Sequence, residues 1–230
     1  PVGVRSMNVL LIEEDRVFAF EVAQILEERS IKALTVHDVV TAETLIANLT
    51  FDVILLNVML VKRNNFSRLS YLRSTTSVPI ILMSGEALES HCIRGLELGA
   101  GDYLTSPFQP EALVARLNAI RRRCSDDTDQ HPVHALDDLQ LMPGRFQARI
   151  GDSKIELTPA ECRLLRLLMN TKDNPLPRQT LYQKGLLRNE SPLDRSLDVH
   201  VSNLRKKLGP HPTKGNRIRS VRGLGYALIH

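Results

Sequence analysis

Val53-Ile54-Leu55-Leu56-Asn57 is the stretch that decides the fold. Four consecutive apolar residues between Asp52 and Asn57 read as a short strand buried on both faces. Comparable runs lie to either side, at Val9 to Ile12, Ala33 to Val36, Ile80 to Met83 and Tyr103-Leu104. Between them Val17 to Leu26, Thr41 to Leu49, Phe66 to Leu72, Ile93 to Leu98 and Glu111 to Ile120 have helical spacing. Five short apolar runs separated by amphipathic segments predict an α/β domain, a parallel sheet with helices on both faces. The functional crevice of such a sheet lies at the C-terminal strand ends. Glu13, Glu14, Asn57, Ser84 and Ser106 are therefore expected at one edge, although they are far apart in sequence.

Ser125 to Pro132 is polar and without periodicity, and reads as an interdomain linker. The expected organisation is a first domain over 7–124, a linker over 125–134 and a second domain over 135–230. In the second domain, alternation over Phe146 to Ile150 and Lys154 to Leu157 predicts a small antiparallel sheet. Thr158-Pro159-Ala160-Glu161 then reads as a capping box with proline at the first helical position. Three helices and a terminal hairpin, Ile218 to Ile229 turned around Gly223 to Gly225, follow. Pro1 to Ser6, ahead of Met7, read as an expression scar or an alternative start and take no part in the fold argument.

The 230 residues suffice for two domains, each with its own core. A hydrophobic content of 43% with 24% charged residues is that of an ordinary soluble protein. No apolar run has the length of a membrane span, and no signal-peptide pattern opens the chain. Three widely spaced cysteines form neither a disulfide framework nor a metal cluster, which fits a cytoplasmic setting. The formal charge of +4 is unevenly spread. Residues 1–124 hold 13 Lys/Arg against 14 Asp/Glu, whereas residues 191–230 hold 8 against 2. Such a distribution is the electrostatic footprint of a nucleic-acid-binding module. On charge alone, a solvated basic face would be the simpler reading.

Leu11-Ile12-Glu13-Glu14-Asp15-Arg16, Gly95-Leu96-Glu97-Leu98-Gly99-Ala100-Gly101-Asp102-Tyr103-Leu104 and Ser106-Pro107-Phe108 together resemble the receiver domain of bacterial response regulators. Glu156-Leu157-Thr158, Asp198-Val199-His200-Val201-Ser202-Asn203-Leu204-Arg205 and Val221-Arg222-Gly223-Leu224-Gly225-Tyr226 resemble the output domain of the OmpR/PhoB family. The resemblance runs from Met7 to His230. It implies a flavodoxin-like (βα)5 receiver followed by a winged helix-turn-helix DNA-binding domain.

In that family an aspartate at the place of Asn57 accepts a phosphoryl group. An acidic pair, here Glu13 and Glu14, holds a magnesium ion with it. A hydroxyl (Ser84) and a lysine clamp the product, and an aromatic residue (Tyr103) reports it. Here the lysine place is Ser106, and Val61 and Asn65 stand where relatives carry Pro and Gly. A carboxamide is neutral, a very poor nucleophile and a weak metal ligand. The joint losses point to natural divergence rather than a single laboratory change. Glu13 and Glu14 then read either as solvated loop carboxylates or as a weak divalent site, and Tyr103 as a packed or interface residue. No cofactor, no enzymatic activity and a doubtful sensor kinase are expected. The leading expectation is a DNA-binding transcription regulator that acts without aspartyl phosphorylation. The alternatives are a magnesium-dependent phosphotransfer regulator and an adaptor whose receiver binds a protein or small ligand.

Asp194 to Leu208 is expected to be the DNA-reading helix, with Ser191 as N-cap and Pro192 at its first position. Leu197, Val201, Leu204 and Leu208 fall on one narrow arc. Arg195, Val199, Ser202 and Lys206 lie near the opposite face, flanked by Asp198 and Asn203. An exposed valine among polar and basic residues suits a thymine methyl in the major groove. Carried over by position, Asp198, Val199, Ser202 and Asn203 would read bases of double-stranded promoter repeats. Arg195, His200 and Arg205 would grip phosphates, and Arg222 would enter the minor groove.

Receivers of the family also dimerise through the face of their fourth and fifth helices and last strand. This implies a homodimer here, with Cys92, Asp102 and Arg116 on that face. Cys124, after three arginines at the start of the linker, is a redox candidate because neighbouring positive charge lowers a thiol pKa. An inert thiol is the competing reading.

Overall fold

The computed structural model describes residues 6–85, 89–124, 134–171, 174–191 and 194–229, the side chains of 89 and 121–124 excepted. The chain divides into two compact units, Pro1–Ser125 and Asp126–His230.

The first unit alternates strand and helix: β1 (Asn8–Ile12), α1 (Arg16–Glu27), β2 (Lys32–Val36), α2 (Val39–Asn48), β3 (Val53–Asn57), α3 (Val58–Lys62), α4 (Ser67–Thr75), β4 (Ile80–Ser84), α5 (Glu89–Glu97), β5 (Asp102–Thr105) and α6 (Pro110–Cys124). All strand pairs are parallel, in the order β2-β1-β3-β4-β5. Val9 to Ile12, Val53 to Leu56 and Ile80 to Met83 are buried on both faces, as central strands covered by helices must be. The apolar run Val53 to Leu56 thus lies in the middle strand. Asp15 caps α1 by accepting from the Val17 and Phe18 amides, and Asp38 caps α2 through the Thr41 amide.

The five expected strands and five expected helices are all present. The extra helix is α3, whose run of Val58 to Val61 is too short to show a helical period. It forms because the Asn57 side chain caps it and because Val58 and Val61 bury themselves. Strand order reverses between β1 and β3, so the crevice opens where Glu13 follows β1 and Asn57 ends β3.

The second unit begins with an antiparallel four-stranded sheet of β6 (His134–Leu136), β7 (Leu139–Met142), β8 (Gln147–Ile150) and β9 (Ser153–Glu156). His134, expected in the linker, belongs to β6, where it pairs with Leu141; 125–133 lie outside the described residues. α7 (Pro159–Met169) opens on the expected capping box, Thr158 and Glu161 exchanging bonds. Next come β10 (Leu176–Pro177) and α8 (Arg178–Thr180), which runs into a π-helical stretch over Leu181–Leu186. α9 (Ser196–Leu208) is followed by the small pair β11 (Pro210–His211) and β12 (Gly215–Asn216). The terminal hairpin, β13 (Ile218–Val221) and β14 (Gly225–Leu228), takes β10 as a third strand. Gly225 permits that pairing: a Cβ there would lie 2.0 Å from the Leu176 carbonyl oxygen. Leu164, Leu168, Tyr182, Leu197, Val201 and Leu204 are among the residues of one core behind α7 and α9.

Candidate functional site

At the crevice, the Asn57 side-chain amide nitrogen donates to Glu13 Oε1 at 2.7 Å, and its oxygen accepts from the Met59 amide at 2.8 Å. Both ends of the carboxamide are therefore committed, one to an acid and one to capping α3. Glu13 Oε1 also accepts from the Asp15 amide at 3.0 Å. The residue is only 1% exposed, which corrects the reading of a solvated loop carboxylate. Burial pushes its carboxyl above the usual carboxylate range, against the lowering effect of the Asn57 and Asp15 bonds.

Glu14 remains at the surface, bound by both terminal nitrogens of Arg63 at 2.9 and 3.1 Å. Arg63 is the site residue that the sequence reading missed. It stands 49 residues from its partner and belongs to no motif. Ser84 is buried, and its carbonyl accepts from the Ser106 amide at 2.7 Å. Tyr103 is half-buried on β5, in register with Leu82. The topology thus gathers the expected residues at one edge, with Glu13 and Asn57 in direct contact.

A divalent ion needs several converging oxygens. Here an N–H of Asn57 points at Glu13, the Asn57 oxygen faces the backbone, and Glu14 is paired to a guanidinium. The buried Glu13 Oε2 is left with no hydrogen-bond partner. Among the described residues, no group of three His, Cys, Asp or Glu is placed to hold a metal. This donor set does not fit magnesium, and the expected weak divalent site at Glu13 and Glu14 is not supported by it.

On the expected dimer face, now α5, β5 and α6, Arg116 Nε donates to Asp102 at 3.1 Å and its Nη1 donates to the Ala112 carbonyl. Both side chains are nearly inaccessible, and Cys92 is 3% exposed. Within one protomer the charged pair is satisfied internally. A desolvated, hydrogen-bonded ion pair has little reason to exchange partners. Cys124 ends α6, but its side chain lies outside the described residues.

In the second unit α9 starts at Ser196, later than expected, and Pro192 lies outside the described residues. The Asp194 carboxylate accepts from the Ser196 amide and binds Arg188 at 3.2 Å, while the Tyr182 hydroxyl donates to the Asp194 carbonyl. These bonds anchor the chain ahead of the helix, and Ser191 is not its cap. Leu197, Val201, Leu204 and Leu208 are buried as expected. Arg195 and Lys206 are exposed, with Val199, Ser202 and Asn203 half-exposed between them.

Three carried-over roles meet a different geometry. His200 is 0% exposed, which corrects its reading as a phosphate contact. Asp198 accepts both terminal nitrogens of Arg178, at 2.7 and 3.2 Å, together with the Tyr226 hydroxyl. Although burial acts in the other direction, Arg178 and Tyr226 hold the Asp198 carboxyl below its ordinary pKa. Burial and then Asp198 push the Tyr226 phenol up to about 12. Arg205 donates to the Ile218 carbonyl at 2.8 Å and to Ser220 Oγ at 2.9 Å, so it braces helix to hairpin. Arg222, at the hairpin turn, is exposed.

Comparison with known proteins agrees with both halves. Residues 9–118 match the family described as "Response regulator receiver domain", and residues 152–228 match "Transcriptional regulatory protein, C terminal". The chain is similar to the transcriptional regulatory protein CpxR of Escherichia coli (strain K12), 35% identical over 228 residues that span 96% of this chain and 98% of the relative. It is similar also to the phosphate regulon transcriptional regulatory protein PhoB of Klebsiella pneumoniae, 30% identical over 96% of this chain and 97% of that one. Among solved structures, a mutant of RitR superposes with a TM-score of 0.68 at 26% identity, covering 97% and 99% of the two chains. A doubly wound receiver joined to a winged-helix domain, with relatives alike over nearly their whole length, places this chain in the OmpR/PhoB family of two-component response regulators.

Proposed function

We propose that this family member is a sequence-specific transcription regulator whose receiver works without aspartyl phosphorylation. The observation that carries the proposal is the Asn57 carboxamide, held between Glu13 and the Met59 amide, with no lysine at position 106. Phosphoryl transfer needs an activated nucleophile and stabilisation of charge on the transferred oxygens. A neutral amide engaged at both ends offers neither. Incubation with acetyl phosphate and magnesium, followed by intact-protein mass spectrometry, is expected to show no phosphoryl adduct. A stoichiometric adduct would favour the phosphotransfer reading instead.

DNA contact falls to the outer face of α9 and to the hairpin turn. Arg195, Lys206 and Arg222 are the exposed cations there, and Val199, Ser202 and Asn203 are the base-reading candidates. Two protomers associated through the receiver face, without phosphate, would set two winged helices on a direct repeat. Cys92, Asp102 and Arg116 lie on that face, the last two paired to each other within the protomer. Light scattering that shows only monomer at high micromolar concentration would remove the dimer from this reading.

A further inference from the structure

Asp198 is the acidic residue in the first turn of α9, the turn that meets base edges in helix-turn-helix proteins. An aspartate can read the exocyclic amine of cytosine only with a free acceptor. Three of the carboxylate's roughly four acceptor sites are taken, all by groups of α8 and the hairpin: Oδ1 accepts from an Arg178 nitrogen and the Tyr226 hydroxyl, and Oδ2 accepts from the second Arg178 nitrogen. Arg178 is anchored in turn, its Nε on Glu190 at 3.0 Å and its guanidinium 5.9 Å from the Tyr182 ring centre. The Arg205 guanidinium lies 5.7 Å from the Tyr226 ring centre while its nitrogens hold β13. One continuous network therefore joins α8, α9 and both strands of the hairpin.

We infer that Arg178 is a positioning residue for DNA specificity: its fork ties the Asp198 carboxylate to α8 and, through Tyr226, to the hairpin, and so fixes the face of α9 carrying Val199 and Ser202 relative to the hairpin carrying Arg222. The inference rests on the DNA-binding reading above. A bidentate pair gives geometric definition that a single contact lacks, and it neutralises a carboxylate that phosphates would otherwise repel. If the network only stabilised the fold, its loss would lower affinity for every sequence alike. A positioning role lowers discrimination instead, because helix and wing must both register on the same site.

The test compares the full chain with Arg178→Gln, Asp198→Asn, Tyr226→Phe and the Arg178→Gln/Asp198→Asn pair. Each is first checked for native circular dichroism, then assayed by randomised-site selection and by anisotropy on selected and scrambled duplexes. Expected is a grip on scrambled DNA that is tighter in Asp198→Asn, weaker in Arg178→Gln and unchanged in Tyr226→Phe and in the pair, with the selected-to-scrambled ratio falling by about tenfold in each single variant and no further in the pair. The lost preference is expected to spread over positions read by helix and wing. Loss of preference at one base pair in Asp198→Asn, with Arg178→Gln and Tyr226→Phe unchanged, would make Asp198 a base reader and overturn the inference. Ratios unchanged in all variants would reduce the network to a surface ion pair. Absence of salt-dependent binding by the native chain would instead sink the DNA-binding reading itself, and the inference with it.

Discussion

His200 shows how a single position separates two physical roles. Three residues after Leu197 and four before Leu204, it falls within the apolar stripe of α9, and it is as buried as they are. Truncation there removes packed volume rather than a charge at the DNA. His200→Ala is expected to cost roughly 2–4 kcal/mol in thermal or denaturant unfolding. The salt dependence of DNA binding should stay unchanged. A phosphate contact would give the reverse, a slope smaller by about one with little change in stability. The spacing that buries His200 was legible in the sequence, but residue type and family position outweighed it. The place of Asn57 at the end of β3 was legible because the apolar run before it marks that strand. Arg63 was not, since no periodicity links it to Glu14 across 49 residues.

Between elements, ion pairs decide what a pattern of propensities cannot. The capping box of α7 was legible because all of its groups lie within four residues. The start of α9 was not, because the Asp194–Arg188 pair and the Tyr182 hydroxyl fix it from another element. Arg217, buried at the start of the hairpin, reaches back 79 residues to Asp138 with bonds of 2.7 and 2.5 Å. That pair ties β13 to the turn between β6 and β7. Arg217 holds the Asp138 carboxyl below its ordinary range, mainly by hydrogen bonding. A folded-state pKa that is depressed gives stability that is full above the unfolded value, about pH 3.9. That stability is lost as pH falls through the folded value. Asp138→Asn is therefore expected to lower stability at neutral pH and to flatten the loss of stability on acidification below about pH 4. An unchanged acid limb in the variant would mean that Asp138 contributes nothing to it.

For the whole molecule, the count of basic residues overstates what DNA meets. Of the eight in residues 191–230, Arg217 is buried on Asp138, Lys207 binds Glu161 at 2.7 Å and Arg205 is engaged by the hairpin. Of the other five, all exposed, Lys214 and Arg219 lie elsewhere, and Arg195, Lys206 and Arg222 lie on the helix and turn proposed to face the duplex. Each phosphate contact releases counterions, so its removal lowers the slope of log K against log salt by about one. Arg195→Ala, Lys206→Ala and Arg222→Ala should each show that change on a fragment with a single half-site. Lys207→Ala should leave the slope intact and lower the melting temperature instead, because Glu161 is only 1% exposed and would lose its cation. On a fragment carrying a direct repeat, a dimer brings the same substitution to the DNA twice, and the expected change is about two. A change of about one on both fragments, with independent filling of the half-sites, would mean that the protomers bind singly and that the receivers do not join them.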